Sequence, residues 1–198
     1  MKTFTPKTFN IPELKGISAK NIEEHLKLYQ GYVKNLNGIF ASLSELMADP
    51  EKNAFMIGEL HRRIGFEFNG MRNHEFYFGS LEGGAKPLPA DSEFKKAIEK
   101  EAGSFDGFLA GFKTLATTRG IGWAVLGWDK ETGSFVPAWI DEQHLGQLNG
   151  LSWILAIDMW EHAYVYDYPT SEKKKYVEAF LANVNWEVIE NNYKNSLK

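Results

Sequence analysis

The chain has 198 residues, of which 43% are hydrophobic, and its 22 basic and 26 acidic side chains give a net charge of -4. This composition fits a folded protein of one or two domains and excludes a disordered chain, and the near balance of charge excludes an extended nucleic-acid surface. No cysteine is present. Disulfides, thiolate nucleophiles and cysteine-held zinc or iron–sulfur sites are therefore excluded, and any metal must be held by His, Asp or Glu.

Two long helices are predicted in the first half of the chain. Ser18 has the character of an N-cap, and apolar residues then recur at helical spacing through IEEHLKLYQGYVKNLNGIFASLSELM, with a bend expected near Gly31 or Gly38. A second helix is predicted over about AFMIGELHRRIGFEFNGMRNHEFYFGSL. The two should pair as a helical hairpin.

The second half of the chain begins with a proline-containing linker, GGAKPLPADS, and changes character after one further helical stretch. Three segments rich in aromatic and β-branched residues are predicted strands, and DKETG is the turn between the first two; they are GIGWAVLGW, SFVPAWI and LSWILAID. The predicted fold is α+β: a helical-hairpin domain over residues 1–86, then a domain over 87–198 with a small three-stranded antiparallel sheet and helices, the last over SEKKKYVEAFLANVNWEVIENNY.

No targeting or membrane signal is found. The N-terminal stretch MKTFTPKTFNIPELKG lacks the apolar core of a signal peptide, and no later apolar run reaches the roughly 18 residues of a membrane helix. We therefore predict a cytoplasmic protein without a membrane partner.

The segment AIDMWEHAYVYDY concentrates side chains that carry chemistry. Asp158 and His162 are four residues apart, so on a helix they would share one face, whereas Glu161 would point elsewhere. His25 shares a helix face with Tyr29 and Tyr32 by the same spacing. The spacing alone leaves open whether such pairs form a site or an isolated surface hydrogen bond.

The remaining histidines are His61, His74 and His144. His61 matches no motif and is interpreted as a solvated helix residue. If the helical hairpin packs on the C-terminal domain, three imidazoles and a carboxylate could converge as a site suited to Mn, Fe or Zn; the residues are His25, His74, Asp158 and His162.

Several motifs, in order, resemble those of the iron/manganese superoxide dismutases along nearly the whole chain. ISAKNIEEH is similar to the segment that ends in the family's first histidine ligand, NHEFYF to the segment that carries the second, and DMWEHAY to the segment that carries the last two ligands. GIGW resembles the strand with a tryptophan that lines the active site, and VNW at 184–186 resembles a motif near the family's C-terminus. The DMWEHAY block is the most specific of these matches.

The resemblance implies superoxide disproportionation at one manganese or iron ion per chain, with superoxide as substrate. It places the ligands at the four convergent residues named above, the lining tryptophan at Trp123 and a gateway tyrosine at Tyr32. It also implies a homodimer in which Glu161 of each chain reaches His162 of the other, so that metal sites and assembly depend on each other.

A glutamine or histidine near the metal-bound solvent is also implied. Iron-type members usually carry the glutamine four residues before the second histidine ligand, where this chain has Gly70. Manganese-type members supply it from the sheet domain, where this chain offers Gln143 or, with a gap of one residue, His144. Both side chains can form the hydrogen bond. Manganese is favoured, with iron or use of both metals as the alternative.

Two departures from the family affect proton supply. The spacing from His25 to Tyr32 is one residue shorter than usual and lacks the histidine halfway, and Val165 stands where the family usually has a tyrosine that reaches that histidine across the dimer. We expect the relay to be absent or rebuilt around Tyr29. An α-helix places residues 25, 29 and 32 on one side without distortion. We therefore predict no bulge here, both tyrosines facing the metal cavity, and Val165 closing its other side.

Two other function classes compete with this interpretation. A di-metal carboxylate protein would carry Glu-x-x-His pairs, but the residues three before the histidines are Ile22, Gly58, Met71, Asp141 and Met159. The remaining alternative is a metal-binding relative with altered or lost dismutase activity.

Overall fold

The computed structural model describes residues 3–198, and in it two long helices form the predicted N-terminal hairpin. α1 spans Ala19–Leu46 and α2 spans Ala54–Leu81. Ser18 caps α1, as its Oγ accepts a hydrogen bond from the backbone N–H of Asn21 at 3.1 Å. α1 is α-helical throughout, so the bend expected at Gly31 or Gly38 does not interrupt it, and the predicted absence of a bulge is confirmed.

Two shorter helices follow the linker, each with a serine cap. α3 spans Glu93–Ala102 after Ser92, and α4 spans Phe105–Ala116 after Ser104. Each cap hydroxyl accepts a hydrogen bond from an N–H in the first turn, at 2.9 Å in α3 and 3.0 Å in α4.

The three predicted strands form one antiparallel sheet in the order β2-β1-β3. β1 spans Gly122–Asp129, β2 spans Ser134–Asp141 and β3 spans Ser152–Asp158. The central strand β1 is buried over all but its last residue, which explains its apolar sequence. Its register sets Trp123 opposite Asp158, so the sheet brings a large aromatic ring beside the carboxylate that ends β3.

The helical stretch predicted at the C-terminus is divided in two. α5 spans Lys173–Asn183 and α6 spans Trp186–Ser196, with short 3₁₀ turns before them at Glu161–Ala163 and Thr170–Glu172. Asn185 causes the division, because its Oδ1 caps α6 by accepting from the N–H of Glu187 at 3.2 Å and its Nδ2 binds the carbonyl of Glu82 at 2.9 Å.

A single hydrophobic cluster runs from the hairpin helices through the sheet to α5 and α6. The α+β fold class is thus confirmed, while the division of the chain at residue 86 stays a prediction. Within residues 3–198, no helix combines the length and the apolar character needed to cross a bilayer.

Candidate metal centre

Four side chains from four separate elements meet inside the fold; they are His25 on α1, His74 on α2, Asp158 at the end of β3 and His162 in the first 3₁₀ turn. We call them the four-residue cluster. Each offers one ligand atom, and these atoms lie within 4.8 Å of one another. The side chain of His162 is 19% exposed, and those of the other three are fully buried.

One carboxylate oxygen is the focus of the cluster. Oδ2 of Asp158 lies 3.0 Å from Nε2 of His25, 3.1 Å from Nε2 of His162 and 3.4 Å from Nε2 of His74. The other oxygen, Oδ1, accepts a hydrogen bond from the backbone N–H of Trp160 at 2.8 Å. The carboxylate is therefore anchored through one oxygen and presents the other to three imidazoles.

Asp158 and His162 come together without the helix that their spacing suggested. Asp158 is the last residue of β3, and His162 lies in the 3₁₀ turn that begins at Glu161. Asp158 thus ends the strand predicted over LSWILAID, and the turn directly after it folds His162 back over Asp158, which gives the proximity that the same spacing would give on a helix.

The orientation of His74 suits a metal ligand. Its Nδ1 donates to the carbonyl of Gly70 at 2.6 Å, which fixes the proton on Nδ1 and leaves a lone pair on Nε2. That Nε2 is buried and makes no hydrogen bond within the described chain. An unpartnered buried nitrogen beside an anionic carboxylate and two more imidazoles fits a divalent or trivalent transition metal.

The buried surroundings shift the pKa values of the cluster residues away from their values in water. Burial raises the pKa of Asp158, but the neighbouring rings of His162 and His25 outweigh it and hold that pKa well below its ordinary value. Burial lowers the pKa of His25, and it lowers that of His74 to about 3. Near neutral pH the site therefore holds a carboxylate with neutral imidazoles on α1 and α2, which are the forms that bind metals.

A hydrogen-bonded chain of three side chains borders the cluster. Nε1 of Trp123 donates to Oε1 of Gln143 at 3.0 Å, and Nε2 of Gln143 donates to the hydroxyl of Tyr32 at 3.0 Å. The rings of Trp123 and Tyr32 both pack on His74, with centroids 5.2 Å and 5.0 Å from it. Gln143 is fully buried, and its backbone carbonyl accepts a hydrogen bond from Nδ2 of Asn73 at 2.9 Å.

His144 points away from this chain of hydrogen bonds. Its ring meets Phe66 edge to face at 5.8 Å and lies against Gly65. The backbone at Glu142 determines that Gln143 rather than His144 faces Tyr32. Glu142 adopts a left-handed conformation with φ 52°, and its carbonyl accepts a hydrogen bond from Nε1 of Trp160 at 3.0 Å. Of the two residues left open by the sequence, Gln143 is the one beside Tyr32.

Gly70 makes room for Tyr32. A Cβ built at residue 70 would overlap the Tyr32 ring. The absence of a side chain there lets the tyrosine lie flat against α2 on its way to Gln143. In the sequence, Gly70 indicates only the absence of the iron-type glutamine, and nothing local shows that the Tyr32 ring packs against it.

The hydroxyl of Tyr29 differs from its expected direction. Its ring is buried, but its hydroxyl accepts from the backbone N–H of Lys7 at 2.8 Å and donates to Glu75 at 3.2 Å, and it has no hydrogen bond to the four-residue cluster within residues 3–198. The expectation that its hydroxyl faces the metal cavity is therefore wrong. Val165 is 44% exposed, and its role in closing the cavity stays a prediction.

Two aromatic neighbours of the cluster went unrecognised in the sequence. Tyr77 and Phe78 lie with their rings 5.1 Å and 4.9 Å from that of His25. Both follow His74 on α2 at positions that any buried helix would fill with apolar residues, so only the structure assigns them to the wall of the site.

A buried carboxylate with three imidazoles, bordered by tryptophan, glutamine and tyrosine, defines a mononuclear transition-metal protein on an α+β scaffold. Residues 90–192 match the family model described as iron/manganese superoxide dismutases, C-terminal domain. The chain is 35% identical over 190 residues to a protein of Aquifex aeolicus named superoxide dismutase [Fe], covering 93% of this chain and 88% of the relative. It is also 35% identical over 172 residues to a protein of Mycolicibacterium smegmatis named superoxide dismutase [Mn], covering 85% and 80%.

This chain belongs to the iron/manganese superoxide dismutase family. The resemblance stated from the motifs is thereby confirmed. The names of the two relatives differ in their metal, so the family assignment leaves the choice between manganese and iron to the site itself.

Proposed function

We propose that this chain disproportionates superoxide to dioxygen and hydrogen peroxide at one manganese or iron ion held by the four-residue cluster. It is an oxidoreductase of the manganese/iron dismutase type. The observation that carries the proposal is the convergence of three imidazole nitrogens on Oδ2 of Asp158 within 3.4 Å.

The bound ion would supply one-electron chemistry by alternating between its 2+ and 3+ states, which zinc cannot do. The overall reaction takes two superoxide anions and two protons to one dioxygen and one peroxide. Asp158 contributes the fixed negative charge that favours the more highly charged ion. The reaction also consumes two protons, which the residues around the cluster must deliver.

Gln143 and Tyr32 are suited to deliver those protons. The indole nitrogen of Trp123 is a donor only, so Oε1 of Gln143 must face it and Nε2 must face Tyr32. The Tyr32 oxygen already accepts that N–H, and its own proton is therefore free to point at a molecule in the cavity. Burial, aided by the charge of Asp158, raises the pKa of Tyr32, which keeps the phenol protonated at neutral pH.

A relay through Tyr29 forms no part of the proposal. Its hydroxyl is engaged with Lys7 and Glu75, and burial raises its pKa to about 12. Proton supply in this chain is assigned to Tyr32 and Gln143.

Manganese is the preferred metal. Gly70 leaves no glutamine on α2, and the buried amide beside Tyr32 comes from Gln143 of the sheet domain, the pattern that the family resemblance associates with manganese. Iron remains the second choice, because hydrogen bonds around a metal tune its potential more surely than they select the element. The cytoplasmic location stays a prediction.

Metal analysis of the purified protein together with a superoxide-decay assay tests the function. We expect about one manganese or iron ion per chain and catalysed decay that is lost on chelation and restored by either metal added back. The same protein reloaded with zinc is the matched control and should not catalyse decay. Stoichiometric manganese without catalysed decay would overturn the proposal.

We further propose a two-fold homodimer in which Glu161 of one protomer accepts a hydrogen bond from His162 of its partner. Glu161 is exposed beside a cluster residue, and the ring of His162 is the only part of the cluster open to solvent within the described chain. Val165 and Tyr166, 44% and 57% exposed, extend the same surface with apolar area. A reciprocal contact of this kind would link assembly to metal binding.

Replacing Glu161 with alanine should shift the protein from dimer to monomer at micromolar concentration and weaken metal retention. Sedimentation velocity measures the assembly, and metal content is measured on the same sample. Glu172→Ala, which removes a half-buried carboxylate that pairs with Lys175 from the second 3₁₀ turn, should change neither. A wild-type protein that sediments as a metal-loaded monomer would contradict the dimer.

A further inference from the structure

Two buried polar side chains on α1 carry atoms that lack hydrogen-bond partners within residues 3–198. Asn21 is 1% exposed, and neither its Oδ1 nor its Nδ2 makes a hydrogen bond; His25 is 0% exposed, and its Nδ1 makes none. Buried amide and imidazole groups almost always find a partner, because leaving them unpaired costs free energy. Two such groups close together call for a common explanation.

The two side chains are neighbours. Residues 21 and 25 are four apart in an uninterrupted α-helix, so they lie on one face with Cβ atoms about 6 Å apart. A helical side chain leans toward the N-terminus, over the residue four positions earlier. The ring of His25 therefore leans toward the amide of Asn21.

The chemistry of the site requires an acceptor at this place. Nε2 of His25 faces Oδ2 of Asp158 at 3.0 Å, so the ring can ligate a metal only through Nε2, and its proton must then sit on Nδ1. In His74 the corresponding Nδ1–H donates to the carbonyl of Gly70, which is also four residues earlier, at 2.6 Å. His25 has no such carbonyl bond.

We propose that Asn21 is a positioning residue for the metal ligand His25: its Oδ1 accepts the Nδ1–H of His25 when Nε2 binds the ion. The amide fixes the tautomer and the direction of the ring, as the Gly70 carbonyl does for His74. The proposal rests on the proposed function in so far as His25 is a ligand. It adds a residue that touches neither metal nor substrate.

The variant Asn21→Leu tests this, because leucine has a similar size and no hydrogen-bonding group. We expect metal affinity, measured by competition with a chelator, to fall about 10- to 100-fold. The metal-free protein should resist denaturant as well as the wild type or better, since an unpaired buried amide has been removed. A purely structural role would instead lower the stability of the metal-free protein.

Two further variants keep the test decisive. Asn21→Asp retains an acceptor oxygen and should keep metal affinity within a few-fold of the wild type, even if Asn21→Leu fails to fold. Asn37→Leu is the matched control on the same helix. The Asn37 amide accepts a hydrogen bond from the backbone N–H of Phe4 and donates one to its carbonyl, so its loss should lower stability and leave metal affinity unchanged.

Unchanged affinity in Asn21→Leu, or equal losses in Asn21→Leu and Asn21→Asp, would overturn the proposal. Asp158→Ala separates this failure from that of the ligand assignment. If Asp158→Ala loses metal while Asn21→Leu retains it, only the role of Asn21 is wrong; if Asp158→Ala retains metal, the ligand set itself is wrong.

Discussion

Replacing Asp158 with alanine should leave a folded protein that holds no stoichiometric manganese or iron and does not catalyse superoxide decay. Asp158 is the only anionic member of the four-residue cluster, and its Oδ2 is the point on which all three imidazoles converge. Without it, a 2+ or 3+ ion would sit in a buried site with neutral ligands and uncompensated charge. We expect metal affinity to fall by more than about tenfold, the scale that even outer hydrogen-bond partners reach.

Metal content per chain, measured by mass spectrometry after gel filtration, is the readout, with circular dichroism as the check on folding. Asp158→Asn should behave like Asp158→Ala in metal content although its Oδ1 can still accept the N–H of Trp160. Asp106→Ala, which removes an exposed carboxylate from the first turn of α4, is the control and should retain one ion per chain. Full metal content in both Asp158 variants would refute the ligand assignment.

Replacing Gln143 with leucine should lower kcat about 10- to 100-fold while metal remains bound. Gln143 joins the Trp123 indole to the Tyr32 hydroxyl. Its loss therefore leaves the buried indole N–H without an acceptor, removes the N–H that the Tyr32 oxygen accepts, and frees the tyrosine ring from its fixed direction. The four-residue cluster does not include Gln143, which is why the ion should stay. A fall in kcat without loss of metal is the signature of a residue that acts on protons.

Superoxide decay per metal ion, followed by stopped flow, measures this effect. Gln147→Leu in the same loop is the matched control, since Gln147 is exposed and its side chain bonds, within residues 3–198, only to Asn69. His144→Leu decides between the two residues that the sequence left open and should have a much smaller effect than Gln143→Leu. Wild-type kcat in Gln143→Leu, or loss of metal in step with activity, would contradict the assigned role.

The main helices were predictable because their signals are local. The Ser18 cap and the apolar recurrence fix where α1 begins, and the predicted segment of α2 coincides with Ala54–Leu81. The division between α5 and α6 was not foreseen. Asn185 makes it by bonding to the carbonyl of Glu82, a residue of the hairpin that no local pattern connects to the C-terminus.

The metal cluster was predictable only through the family motifs. The spacing of Asp158 and His162 would bring them together on a helix, but here the end of the predicted strand and a 3₁₀ turn produce the proximity. Gln143 could not be told from His144, since the choice depends on the left-handed backbone of Glu142 and on the indole that holds it.

Tyr29 shows where helix geometry alone is insufficient. The i, i+4 spacing placed it correctly on the inner side of α1, but the direction of its hydroxyl is decided by Lys7 and Glu75, which come from the N-terminal segment and from α2. A periodic pattern predicts which face of a helix is buried. The direction in which the end of a long side chain points depends on the residues packed around it.

The close fit of the Tyr32 ring over Gly70 limits how this protein could change during evolution. The iron-type arrangement would place a glutamine at position 70. Its side chain would have to occupy the volume of the Tyr32 ring before it could reach the solvent molecule bound to the metal. The amide from Gln143 would meanwhile still fill its own place. Moving the amide from one source to the other therefore passes through a crowded intermediate, and we expect lineages to exchange residues 70 and 143 together or not at all.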